Sequence, residues 1–164
     1  MTIETSLYWK LFKPSACSVG LKGVEQPDVF DEIVANLVKA KVLPDALAKP
    51  AVRVLVDRER LASTGVGMNV AIPHVALPGL DAAVMSLSVA KHDLAWRSID
   101  GAPVRILFTV LRPAAETPEY DADRHLEMMR WVSRVARKED FRRFALAATS
   151  RTELVDLLKE MASA

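Results

Sequence analysis

Apolar positions recur at helical spacing in the first part of the chain, at strand spacing in the middle, and at helical spacing again towards the end. After Gln26-Pro27-Asp28, residues Val29, Phe30, Ile33, Val34, Leu37 and Val38 share one face, which predicts an amphipathic helix. Leu43-Pro44-Asp45 breaks the pattern, and Pro50 suits the first turn of a second helix through Val52, Val54, Leu55 and Leu61. Asn69 to Ile72, Val84 to Ala90 and Val104 to Leu111 are then short β-branched and aliphatic runs separated by Pro, Gly and Asp, which predicts strands. The last of these is mostly apolar, as a strand buried on both faces should be. From Ala122 the helical period returns, with Leu126, Met129, Val132, Val135 and Ala136 on one side, and further helices are predicted at about Glu139–Ala148 and Arg151–Met161. The stretch before Gly23 has no clear period, although Ala16 to Leu21 fits a short strand. This order of elements predicts one α/β domain over residues 1–164, a mixed β-sheet flanked by helices.

Composition narrows the class. With 164 residues, 51% hydrophobic and 26% charged, the chain is long enough for one domain with a real core and too short for two ordinary domains. Lys plus Arg number 22 against 21 Asp plus Glu, so no basic surplus points to nucleic acid. The single cysteine, Cys17, excludes an internal disulfide framework, fits a reducing compartment, and reads as a small core residue. Met1 to Pro14 holds Leu7, Tyr8, Trp9, Leu11 and Phe12, but Glu4, Lys10 and Lys13 interrupt it. That stretch is too short and polar for a secretory signal, and no later run approaches a membrane span. The expectation is a cytoplasmic protein without membrane insertion; any transporter it serves is another polypeptide.

The densest chemistry lies in Ser63-Thr64-Gly65-Val66-Gly67-Met68-Asn69-Val70-Ala71-Ile72-Pro73-His74. A hydroxyl pair and two glycines lead into a short apolar strand that ends at Pro73 and presents His74. Backbone N–H groups of such a turn can hold phosphate oxygens, and imidazole is a nucleophile usable near neutral pH. Pro73 fixes its own φ and biases Ile72 towards extended geometry, so the chain approaches His74 stiffly. Neither the dinucleotide nor the P-loop glycine pattern is completed here. His92, beside Lys91 and Asp93, reads as a surface residue. Without a closely spaced histidine pair no metal site is predicted. Trp96 and Trp131 read as core.

Arg58-Glu59-Arg60-Leu61-Ala62-Ser63-Thr64-Gly65-Val66-Gly67 followed by Val70-Ala71-Ile72-Pro73-His74 closely resembles the enzyme IIA domains of the bacterial phosphoenolpyruvate-dependent phosphotransferase system. The class is the mannitol/fructose type, which includes the nitrogen-regulatory IIA proteins. The resemblance continues through Ile99-Asp100-Gly101-Ala102-Pro103-Val104, the strand-like Arg105 to Pro113, and His125-Leu126, from about Glu25 to Glu160. It implies the same mixed-sheet architecture and a phosphocarrier role. His74 would be phosphorylated on Nε2 by the phosphohistidine of HPr or its nitrogen-branch counterpart, then pass the group to a IIB domain. His125 matches a histidine beside the phosphorylated one, and Arg58 an arginine near the phosphate. Ser63 and Thr64 could donate hydroxyls to the phosphate or simply serve the turn, with Gly65 and Gly67 supplying N–H groups. No cofactor or metal is implied, because the donor is itself a phosphohistidine.

Three functional readings stay open on the sequence. One is transfer in the nitrogen-regulatory branch, with protein targets read by phosphorylation state; the absence of an attached IIB or IIC favours it. Another is a fructose- or mannitol-uptake IIA component. The last is a degenerate regulatory module that binds partners without phosphotransfer. Two departures motivate the last: Asn69 stands where the family usually has glycine, and Val75 where Gly, Ala or Cys follows the active histidine. Val75 is expected to add bulk where HPr would dock.

Overall fold

Alternation along Val104–Arg112 sorts its side chains onto two apolar cores, and this strand organises the fold. In the computed structural model, which describes residues 5–162, six strands form one mixed sheet. They are β1 (Ser18–Leu21), β2 (Gly65–Gly67), β3 (Val70–Ala71), β4 (His74–Ala76), β5 (Val84–Leu94) and β6 (Val104–Arg112). Helices α1 (Gln26–Lys39) and α2 (Ala48–Leu61) cover one face; α3 (Ala122–Arg137), α4 (Glu139–Ala147) and α5 (Arg151–Ala162) cover the other. Ile106, Phe108 and Val110 pack with Trp131, Val132, Phe141 and Leu158, whereas Leu107 and Leu111 pack with Phe30, Ile33 and Leu55. Two-sided burial explains why β6 reads as a nearly continuous apolar run. The mixed α/β sheet with helices on its faces is thus the architecture that the sequence pattern predicted.

The strands lie in the order β1-β5-β6-β3-β2, with β4 also on β6. β5 is antiparallel to β6, while β3 and β4 are both parallel to it. β3 pairs with Ile106 and Leu107 and β4 with Val110 to Arg112, so the two run end to end along one edge of β6. The sequence predicted a single strand ending at Pro73. Proline has no N–H to donate and interrupts the ladder, yet its carbonyl accepts the Val110 N–H at 2.9 Å and the strand resumes. β2 was not predicted, since two of its three residues are glycine. β5 outruns its predicted end at Ala90 because Lys91, His92 and Asp93 are exposed and break the apolar run.

The stretch without clear period is a 3₁₀ segment, Thr5–Leu11, that lays Tyr8 and, just beyond it, Phe12 on the core. Tyr8 meets Trp131 at 5.9 Å between ring centroids and Phe12 meets Phe108 at 6.0 Å. Ala16 to Leu21 does contain a strand, β1, and Cys17, Trp96 and Trp131 are buried. The reading of the N-terminal stretch as neither signal nor span rests partly on residues 1–4, outside those described. Among the described residues no helix is long and apolar enough to cross a membrane.

The β2–β3 turn carries three consecutive left-handed residues, Gly67 (φ 92°), Met68 (φ 58°) and Asn69 (φ 67°). Positive φ at both central positions is the hairpin geometry that matches strand twist, and Asn tolerates it best after glycine. Asn69 also donates its side-chain amide to the Pro103 carbonyl at 2.8 Å. The departure from glycine is therefore accommodated. Asn69→Gly should change stability by less than about 1 kcal/mol, because easier positive φ offsets one lost hydrogen bond. Asn69→Val should cost about 2 kcal/mol or more; urea unfolding of the two variants checks the contrast.

Candidate functional site

Where the two helical layers meet the β4 edge of the sheet, an open cleft of about 780 Å³ forms around His74. The last turns of α2 supply one wall through Val54, Asp57, Arg58 and Leu61. β4 supplies the floor, and Arg112, Tyr120 and the start of α3, with His125, Leu126 and Met129, supply the other wall. Strand period places His74 in this cleft. It pairs with Val110 while Val75 pairs with Leu111, so His74 turns to the α3 side and Val75 to the core beneath α1 and α2.

Val75 is 9% exposed and lies in the second core, so its bulk is directed inward rather than added to a docking face. It is not among the residues with positive φ, and a β-branched residue suits the strand.

The His74 ring is exposed, and its Nδ1 lies 3.1 Å from the Ile72 carbonyl oxygen. A carbonyl only accepts, so this bond requires the proton on Nδ1. In the neutral ring Nε2 then carries the lone pair, as a nucleophile needs.

His125 sits in the first turn of α3 behind Asp121, whose side chain accepts the Arg124 N–H at 3.1 Å and caps the helix. Its imidazole is held below the ordinary histidine value by burial first, then by the charges of Arg112 and His74. The neighbourhood of His74 and His125 that the resemblance implied is thus present. Arg58, in the last turn of α2, lines the opposite wall and donates Nη1 to the Ala62 carbonyl at 2.6 Å, tying off its helix end.

The remaining predicted phosphate ligands are placed elsewhere, for reasons visible in their bonds. Thr64 is buried; its Oγ1 donates to Glu59 Oε1 at 2.6 Å and accepts from Trp96 Nε1 at 3.2 Å. Ser63 Oγ donates to the Trp96 carbonyl at 2.6 Å and accepts the Gly65 N–H at 3.0 Å. Gly65 is packed so closely on Ser98 that no side chain fits there. Beside Gly67, the Met68 N–H donates to Asp100 Oδ2 at 2.9 Å, and a Cβ on Gly67 would lie 3.1 Å from that same oxygen. A carboxylate therefore occupies the seat that the glycine turn seemed to offer to phosphate, and N–H bonds from Met68 and Ala102 hold its pKa below the ordinary range. None of these four residues lines the His74 cleft. Their work is to fasten the loop between α2 and β3 to Trp96 and Asp100.

Sequence reasoning missed Arg112 and Tyr120. The guanidinium of Arg112 lies over the Tyr120 ring at 5.0 Å, and both line the cleft. An Arg-Pro pair at a strand end carries no motif, and only the parallel pairing of Ala76 with Arg112 brings it to the site. His92 is exposed, and among the described residues no group of three or more His, Cys, Asp or Glu is arranged to hold a metal ion.

A depressed His125 pKa has a defined effect on stability. The folded protein keeps this ring neutral, so below the ordinary value of 6.5 the unfolded chain takes up the proton more readily. The stabilisation is full above that pH and is lost as pH falls through the folded value. Imidazole NMR should show His125 titrating below its ordinary value, and His125→Gln should flatten the fall in stability on acidification below about pH 6.5.

The match to known proteins is broad. Residues 10–161 fit the family model for the phosphoenolpyruvate-dependent sugar phosphotransferase system, EIIA 2. A nitrogen regulatory protein of Pseudomonas aeruginosa is 35% identical over 133 residues, spanning 81% of this chain and 82% of that one. The fructose-specific EIIABC component of Bacillus subtilis is 26% identical over 151 residues, 92% of this chain but 23% of that longer protein. Among solved structures, the nitrogen regulatory protein IIA-Ntr of Neisseria meningitidis superposes with a TM-score of 0.80 at 24% identity, covering 93% of this chain and 99% of that one. The mannitol IIA of Escherichia coli, solved in complex with its phosphorylated IIB, has a TM-score of 0.67 at 15% identity over 91% of this chain and 97% of that one. This chain belongs to the EIIA 2 family of the phosphoenolpyruvate-dependent sugar phosphotransferase system.

Proposed function

We propose that this protein is a phosphohistidine carrier of the nitrogen-regulatory branch, loaded on His74 Nε2 by a phosphorylated HPr-like protein. One observation carries the reading: an exposed histidine at a cleft mouth whose Nδ1 is tied to the Ile72 carbonyl and whose Nε2 is free to react. The Nε2 lone pair forms the new N–P bond as the bond to the donor imidazole breaks, and the donor nitrogen recovers its electron pair. The positive charge then left on the His74 ring is steadied by its Nδ1–H to the carbonyl. Phosphoryl transfer asks the protein mainly for position and for charge to meet the equatorial oxygens. Arg58 supplies a cation from one wall, and neutral His125 can donate one N–H to a phosphoryl oxygen.

The recipient is a IIB domain or a regulatory target that reads the phosphorylated state. The nitrogen regulatory relatives favour the regulatory branch, while the fructose-specific relatives keep sugar uptake as the second reading. The degenerate, non-transferring reading loses its motive, since Asn69 holds the turn and Val75 faces inward. Either transfer reading needs no nucleotide or metal, because the donor N–P bond already carries the required energy.

Incubation with phosphoenolpyruvate, enzyme I and HPr or its nitrogen-branch counterpart should add one phosphoryl group, read by intact mass under non-acidic conditions. His74→Ala should abolish the modification. Full labelling of the His74→Ala protein, or none of the folded wild type from either donor, would defeat the proposal.

A further inference from the structure

We propose that Arg112 is a second phosphoryl-binding cation of this site, so that a phosphoryl group on His74 is held between Arg58 on one wall and Arg112 on the other. This rests on the phosphocarrier reading and extends it to a residue that no motif marks.

Backbone geometry fixes where Arg112 points. It follows Val110 by one strand period, and Val110 is the register partner of His74, so both side chains emerge on the α3 side of the sheet. Its carbonyl accepts the Leu77 N–H at 2.8 Å, and Ala76 pairs with it across the ladder, so the strand end is anchored on the β4 side. The side chain is half-buried, with its guanidinium over Tyr120 at 5.0 Å and one N–H to the Pro113 carbonyl at 2.9 Å.

Among the described residues no ion pair meets the charge of this guanidinium. Among the described residues no carboxylate lies within ion-pair distance of Arg112, and Asp57, the carboxylate lining the cleft, lies 3.7 Å from Arg60. A half-buried cation facing an aromatic ring and a carbonyl is held in place without being neutralised. Among the described residues one of its five N–H groups has a partner, the Pro113 carbonyl, which leaves four for a forked contact with a second acceptor. That same uncompensated charge acts on His125, where it disfavours a further cation. A cleft with an arginine on each side and a histidine kept neutral is electrostatically incomplete, and a dianionic phosphoryl group on His74 completes it. Tyr120 acts as the positioning residue, keeping the guanidinium off the open solvent.

The test uses the equilibrium of phosphoryl exchange between HPr and this protein, starting from phospho-HPr in limiting amount. That equilibrium depends only on the free energies of the separate phosphorylated and unphosphorylated proteins, so a residue that merely touches the donor surface cannot move it. Arg112→Gln should shift it about tenfold towards phospho-HPr, the loss expected for a charge-assisted contact. Arg112→Lys, which keeps charge but not the fork, should fall between Gln and wild type. Tyr120→Leu, which removes the ring that steadies the guanidinium, should shift it in the same direction but less far. The Arg112 Nε–H signal should also shift on phosphorylation of the wild-type protein. An unchanged equilibrium in folded Arg112→Gln, with slower transfer alone, would overturn the proposal in favour of a docking contact. Absence of phosphorylation in the wild type would overturn the phosphocarrier reading and this proposal with it.

Discussion

The site depends on how the chain passes Pro73. The residue cannot donate to the sheet, yet its carbonyl accepts the Val110 N–H at 2.9 Å, so two short strands share one edge of β6 without losing register. Pairing resumes at His74, and a side-chain period of two sends that ring outward and Val75 into the core. One residue of slip would bury the imidazole and expose the valine. The Ile72 carbonyl, released from the ladder by the same break, then becomes the acceptor for Nδ1. Placement and tautomer of the His74 ring thus follow from one proline beside one long strand.

Charge is arranged around that ring by elements from both layers. Arg58 ends α2 on one side, while Arg112 and His125 belong to β6 and α3 on the other. The glycine turn, which on spacing alone suggests an anion seat, is already occupied by the Asp100 carboxylate and the Ser63 hydroxyl. Those contacts hold the loop that joins α2 to the sheet. The cations are therefore concentrated at the His74 cleft rather than spread over the loop. Such a division ties down the loop and leaves the cleft open.

Much of this was legible in the chain, and the misses have physical causes. The helix beginning at Gln26, the apolar strand ending near Arg112 and the helix after Ala122 carry long, strongly periodic patterns, so their type was readable. Three-residue strands such as β2 and β4 hold too few side chains to show a period, and β4 in particular was hidden behind a proline. His74, His125 and Arg58 were found through the resemblance, and the structure places all three around one cleft. For Ser63 and Thr64 the sequence leaves phosphate donor and turn residue both open, because it shows a hydroxyl but not its partners, here Trp96 and Glu59. Arg112 was invisible for the converse reason. Its partners in the site, Ala76, Tyr120 and His125, come together only when β4 joins β6 and α3 packs across them.

On the proposed phosphocarrier reading, the Ile72 carbonyl dictates which nitrogen of His74 reacts. Long-range ¹H–¹⁵N correlation of the imidazoles, recorded before and after loading with phosphoryl, tests it most directly. A proton on Nδ1 and a bare Nε2 are expected in the free protein, then phosphorus–nitrogen coupling at Nε2 alone once it is loaded. A free ring protonated on Nε2, or a phosphoryl group on Nδ1, would contradict it.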